Sequence, residues 1–174
     1  MNYSLGEQTP EFGDDVFIAP SADVIGDVSV GQLSSLWFNV VARGDVENIE
    51  IGEETNIQDQ AILHSREGMP LTIGSRVTVG HGVCVHGCTI ESETLIGIGA
   101  KVLDGATVRK HSMVAAGAVV TPETEVPPGA VYMGAPAQLS RNLREGELDM
   151  ILKSAQMYVQ HSKEYQEHLT EYAT

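Results

Sequence analysis

Large aliphatic residues return at every sixth position of this chain over most of its length. From Ile90 the series runs through Ile96, Val102, Val108, Val114, Val120 and Val126 to Tyr132. Four places after each of its first six members stands a small residue: Thr94, Ala100, Ala106, Ser112, Ala118 and Thr124. Upstream the period holds at Ile18, Val24, Val30, Leu36 and Ala42, then at Ile51, Ile57 and Leu63, then at Ile73, Val79 and Val85. Neither the helical period of about 3.6 nor simple strand alternation sustains such a rule. A six-residue unit is a short strand and a corner. Three units close one triangular turn, and turns stack about 4.8 Å apart by parallel pairing. The large residue then points into the prism and the small one sits where two walls converge. Each turn buries its apolar face only against its neighbours.

This pattern resembles the hexapeptide-repeat, left-handed parallel β-helix proteins and covers Ile18 to Pro136. It predicts an all-β prism, with the left hand taken from the resemblance, because the general preference of crossovers is right-handed. The phase slips in three places: around Val46 to Glu50, across Ser65–Pro70, and between Val85 and Ile90, which is one residue short. The Gly and Pro of Ser65-Arg66-Glu67-Gly68-Met69-Pro70 predict a loop leaving the prism. Beyond Pro136 the repeat ends. Leu148, Ile151, Leu152, Ala155, Tyr158, Val159 and Ser162 follow helical spacing, which predicts an amphipathic helix from about Glu145 to Leu169. Its apolar stripe lies on the prism flank or on a neighbouring subunit. The chain therefore divides into a β-helix domain with a lead-in, 1–137, and a C-terminal helical segment, 138–174.

Composition adjusts this picture. Aromatics make up 5% of the chain and glycines number 18, as expected of a core built from small and β-branched side chains. Ten basic against twenty-four acidic residues give a formal charge of −14. That field repels phosphate, which excludes nucleic acid and anionic membranes as partners. Met1 to Phe12 has no signal-peptide pattern, and no apolar run reaches the roughly 20 residues of a membrane span. Cys84 and Cys88 are too few for a disulfide framework. The expected location is the cytoplasm.

The candidate chemistry gathers beside the repeat. His64 and His86 each directly follow an interior position and lie 22 residues apart, one 18-residue turn plus the Ser65–Pro70 loop. Their rings are expected to stack one turn apart, about 5 Å, a separation that suits two ligands of one ion. His81 belongs to the previous wall, across a corner. In a threefold trimer, His81 of one chain faces His64 and His86 of the next, and symmetry repeats the meeting at every interface. Three imidazoles and an open position are the arrangement of catalytic zinc. Imidazole suits iron and cobalt as well, so Zn2+, Fe2+ and Co2+ all remain candidates. Around this set stand Arg43, Asp45, Asn56, Gln58 and Asp59. A guanidinium held by carboxylates at Arg43 and Asp45 is read as an inter-prism salt bridge. Gln58 is placed on the wall that carries His81. His111, His161 and His168 are read as ordinary surface residues.

Val41-Ala42-Arg43-Gly44-Asp45, Asn56-Ile57-Gln58-Asp59 through His64, and Gly80-His81 through His86-Gly87 together resemble the γ-class carbonic anhydrases, nearest their compact bacterial branch. The resemblance implies that His64, His81 and His86 are metal ligands, Arg43 and Asp45 an interface pair, and Gln58 the residue orienting water near the metal. It places Asn56 and Asp59 in the supporting shell. Glu67 falls at the distance of the family's proton-shuttling glutamate, although the loop here is short. Tyr158 matches a tyrosine of the family's helix, while Gln160 stands where an asparagine belongs, and Val46 replaces the glutamate that follows Arg-Gly-Asp. The implied activity is metal-dependent, reversible hydration of carbon dioxide to bicarbonate by a homotrimer. The competing readings are a metal-dependent acyl-coenzyme-A thioesterase or hexapeptide acyltransferase-like protein, and a non-catalytic trimeric scaffold. Few clustered cations are available for the phosphates of coenzyme A.

Overall fold

The computed structural model describes residues 1–172, and the last two residues of the expected 138–174 segment lie outside them. The hexads fold into a left-handed parallel β-helix of about seven turns followed by one helix. Parallel register stacks the repeat position of one turn on that of the next. On the first wall Val24, Ala42, Leu63, Val85, Val102 and Val120 form one column. The second wall carries Val30, Ile51, Ile73, Ile90, Val108 and Val126, and the third Ile18, Leu36, Ile57, Val79, Ile96 and Val114. Nearly all of these side chains are fully buried. The exceptions mark the prism ends. Ile18 is half-buried at the N-terminal mouth, and Tyr132 is half-buried beside a register shift at Val131/Tyr132.

The phase slip around Val46 to Glu50 has a visible cause. Strand Val41–Ile51 does not stop at its corner but continues round it, pairing with Ile62–His64 through its first residues and with Leu71–Ile73 through its last. Val28, Ile49 and Leu71 fill the corner there, where the following turns carry Cys88 and Ala106. Gly44 permits this path, since a Cβ at that position would lie 2.2 Å from the Asp27 carbonyl oxygen. The Ser65–Pro70 loop is a tight turn closed by Arg66–Met69 backbone bonds of 3.1 and 2.7 Å.

Strand Ala137–Asn142 turns back antiparallel on Ala130–Gly134 and delivers the chain to α1, Glu147–His168. α1 lies along the third wall, against the strands at Phe17, Ser35, Asn56 and Thr78. Ile151, Ala155, Val159 and Ser162 face inward, so the apolar stripe covers the flank of its own prism. Outward-pointing residues of that wall are buried beneath it: Phe17 packs on Trp37 with ring centroids 5.1 Å apart, and Trp37 meets Tyr158 at 5.4 Å and Tyr165 at 4.9 Å. Among the described residues no helix is long and apolar enough to cross a membrane. Cys84 and Cys88 are free thiols, and burial pushes the Cys88 thiol up to about 12.

Candidate metal centre

Parallel register aligns Arg43, His64 and His86 in one outward-facing column on the first wall. The imidazoles stack with centroids 5.0 Å apart, and His64 Nδ1 lies 3.0 Å from His86 Nε2. The remaining nitrogen of each ring is tied to a carboxylate. His64 Nε2 is 3.0 Å from Asp45 Oδ1, and His86 Nδ1 bonds Asp104 Oδ1. A neutral ring so held keeps its proton on the carboxylate side. Both remaining nitrogens then present lone pairs to each other, an arrangement that favours a cation shared between them. Ligand nitrogens on a tetrahedral ion with bonds of 2.0–2.1 Å stand about 3.3–3.4 Å apart, close to the separation seen. The donor set fits a divalent ion.

The carboxylates are themselves anchored. Asp45 pairs with Arg43 of its own chain. Asp104 accepts from Arg66 Nη1 at 2.9 Å. Hydrogen bonding from His86 and then from Arg66 holds the Asp104 carboxyl below its usual range. For Asp45, bonds from His64 and Arg43 outweigh burial and leave its carboxyl lowered too. Asp104 and Arg66 were not among the sequence candidates. The available signal was spacing, since Asp104 stands 18 residues after His86, one turn on.

His81 occupies a different corner, after Thr78–Val79, where Gly82 takes a left-handed φ of 66°. One turn earlier Asp59 precedes Gln60, whose φ is 63°, and Gly82 N–H donates to the Asp59 carbonyl at 2.8 Å. This stacking sets His81 Nδ1 2.8 Å from Asp59 Oδ2 and leaves Nε2 free. Asp59 Oδ1 accepts from the Phe38 N–H at 3.3 Å. Gln58 lies on the same wall, as the repeat predicts, only 5% exposed beneath α1. Its Nε2 donates to Asn56 Oδ1 at 3.0 Å, and Asn56 Nδ2 donates to Thr78 Oγ1 at 3.0 Å. Burial, then the charge of Asp59, raises the Tyr158 phenol, which associates that ring with the His81 corner.

The structure therefore brings together His64, His86, Arg43 and Asp45 at one edge of the first wall. At the other edge it gathers His81, Asp59, Gln58, Asn56 and Tyr158. Among the described residues no three His, Cys, Asp or Glu side chains converge to hold an ion within one chain. Glu67 is exposed at the tip of its turn, and the neighbouring Gly68 N–H is held by Glu47 Oε1 at 2.8 Å. His111, expected to stand alone, bonds Glu93, which also takes Arg76 Nη2 at 2.6 Å. His161 meets Tyr158 edge-on with centroids 5.6 Å apart, and His168 is exposed at the end of α1.

A triangular prism with carboxylate-tethered imidazoles at two of its edges defines a hexapeptide-repeat protein. The chain is 46% identical over 159 residues to gamma carbonic anhydrase 2, mitochondrial, of Arabidopsis thaliana, covering 88% of this chain and 57% of that protein. It is 37% identical over 165 residues to a carbonic anhydrase of Geobacillus kaustophilus, covering 95% of this chain and 91% of the relative. A hexapeptide transferase family protein from Anaplasma phagocytophilum superposes with a TM-score of 0.92 at 37% identity, covering 95% of this chain and 98% of that one. No family model matches the chain. It spans a little over half the length of two of the plant relatives, 57% and 58%. The chain belongs to the γ-carbonic-anhydrase-like family of hexapeptide-repeat proteins.

Proposed function

We propose that this protein catalyses reversible hydration of carbon dioxide to bicarbonate as a homotrimer, with a divalent ion held between adjacent chains. The reading rests on the His64–His86 pair, whose free nitrogens face each other at 3.0 Å while their outer nitrogens are fixed by Asp45 and Asp104. His81, with Nδ1 fixed by Asp59, has Nε2 available as a third ligand to the site of a neighbouring chain. His64, His86 and the neighbouring chain's His81 would hold a divalent ion, zinc or equally iron or cobalt, which when bound would lower the pKa of water towards about 7 and so make hydroxide available at neutral pH.

The protein's own groups do the rest. Arg43 and Asp45 hold His64, Arg66 and Asp104 hold His86, and Asp59 holds His81. The Gln58 amide, anchored by Asn56, orients the attacking hydroxide and the bicarbonate product. Glu67, exposed on its turn, passes the proton to buffer. Tyr158 closes the His81 side. The free thiols suit a reducing compartment, and we assign the protein to the cytoplasm. The deciding experiment is anaerobic purification, metal analysis and stopped-flow hydration of wild type beside His81→Ala. The expected result is stoichiometric metal and hydration in the wild type and loss of both in the variant. Unchanged metal in His81→Ala removes that residue from the site, and a metal-loaded wild type that hydrates no carbon dioxide overturns the reading.

A further inference from the structure

We propose that the N-terminal mouth of the prism is a docking surface for an extended, basic segment of a partner protein. The segment adds a strand at Ile18 and seats an apolar side chain between Phe12 and Leu169. The inference is independent of the hydration reading, because none of its residues belongs to the histidine cluster.

The two ends of the solenoid are finished differently. At the C-terminal end Ala137–Asn142 folds back antiparallel on Ala130–Gly134. At the N-terminal end the strands Glu11–Phe12 and Phe17–Ile18 each have a single neighbour, on the second turn. The N–H groups of Phe17 and Ala19 donate to that turn at 3.0 and 2.9 Å, so Ile18 between them turns its main-chain groups outward. An edge of this kind is a template for another strand. End repeats of solenoids ordinarily carry a polar outer face. Here six of the fourteen exposed large hydrophobic side chains of the described residues stand instead: Met1, Tyr3, Leu5, Phe12, Tyr165 and Leu169. Phe12, Val16, Ile18, Tyr165 and Leu169 line a groove of about 630 Å³ between the first turn and the end of α1. Apolar surface gathered in this way and rimmed by charge marks a protein interface.

The charge of the rim decides what fits. Six carboxylates and no Lys or Arg precede Arg43, and Asp15 lines the groove itself. Among the described residues only Asp23 of those six is paired, with the N-terminal ammonium at 3.2 Å. Glu7, Glu11, Asp14 and Asp15 are exposed, and Glu164 and Glu167 add to them from α1 against Lys163, the one Lys or Arg after Lys153. A second copy set end to end brings two such rims together, and the same charges repel anionic membrane and nucleic acid. A basic segment is attracted. Strand alternation then places its Lys or Arg side chains over the rim while the intervening apolar ones enter the groove.

The test uses the full chain and a fluorescein-labelled peptide, Lys-Leu-Lys-Val-Lys-Leu-Lys. Two control peptides carry Glu for every Lys, or Gly for every apolar residue. Binding is followed by fluorescence anisotropy and located on the protein by hydrogen exchange. The expected result is saturable binding of the first peptide alone, with protection confined to residues 11–19 and 165–169. Leu169→Asp is expected to abolish binding, with Leu169→Ser in its place if that variant does not fold. The double variant Asp14→Lys, Asp15→Lys should weaken binding about tenfold at low salt, and less as salt rises. No saturable binding, or protection elsewhere on the chain, overturns the proposal. Equal binding of the glycine peptide overturns it too, because acidity alone then accounts for the attraction. Mass measurements at rising concentration and flotation with phosphatidylglycerol vesicles examine the other occupants. Pairing of copies that Leu169→Asp abolishes, or vesicle binding by the wild type, overturns the proposal in favour of a second copy or a membrane.

Discussion

Asp104 reaches His86 from the turn below and is itself gripped by Arg66 of the extruded loop. The loop thereby contributes to the centre through Arg66, the residue beside the one that sequence reasoning selected. Removing the charge of a carboxylate that orients a ligating imidazole typically costs 10–100-fold in metal affinity. Asp104→Asn is expected to weaken zinc binding by about that factor, measured by competition with a chromophoric chelator, with the fold intact by circular dichroism. Arg66→Met should act in the same direction and less strongly, because Arg66 touches no imidazole. The positions flanking interior slots could be listed from the repeat, which is why His64, His86 and Arg43 were legible. Asp104 follows Leu103 rather than a repeat position, so its 18-residue spacing from His86 acquired meaning only through side-chain reach.

α1 is held by packing at its centre and by charge at its start. Ile151 is fully buried against the third wall, and its truncation to Ala should cost about 2–4 kcal/mol in denaturant unfolding. At the N-terminus Arg141 grips both oxygens of Glu147 at 2.7 and 2.9 Å, and the Arg144 N–H donates to the same carboxylate at 2.7 Å. The Arg141 bond, then the Arg144 bond, holds the Glu147 carboxyl down to about 2 from an ordinary 4.5. A carboxyl with a depressed folded value binds protons more readily when unfolded. Its contribution is complete above about pH 4.5 and is lost as pH falls towards 2. Glu147→Gln is expected to lower stability at pH 7 and to flatten the decline between those limits, followed by thermal melts across the range. The helix itself was readable from its spacing, and its observed bounds, Glu147–His168, fall within two residues of expectation at each end. Which surface it covers was not readable, because an apolar stripe carries no address.

At the scale of the whole molecule the two halves of the proposed site stand at opposite edges of one wall, and a shared site makes them complementary. His64→Ala keeps His81, and His81→Ala keeps His64 and His86. Each variant alone is expected to be inactive. Mixed trimers formed by co-refolding equal amounts should recover about a quarter of wild-type hydration, since one interface in four pairs the intact halves. No recovery in trimers shown by mass to be mixed would overturn the shared site. The acidic surface, with a formal charge of −14, leaves such trimers soluble during exchange.

The sequence by itself determined the prism, because a six-residue period admits one way to bury its large residues, and stacking then carries residues one turn apart to the same face. It also determined that His64 and His86 meet while His81 stands apart, since register follows from counting. The tertiary structure decided what counting cannot reach. It paired Arg43 with Asp45 of its own chain, joined the extruded loop to His86 through Asp104, and laid α1 along the third wall, where the buried Asn56 and Gln58 amides bond each other. Hydrogen-bond polarity and side-chain reach depend on which groups are excluded from water together, and only packed elements create that exclusion.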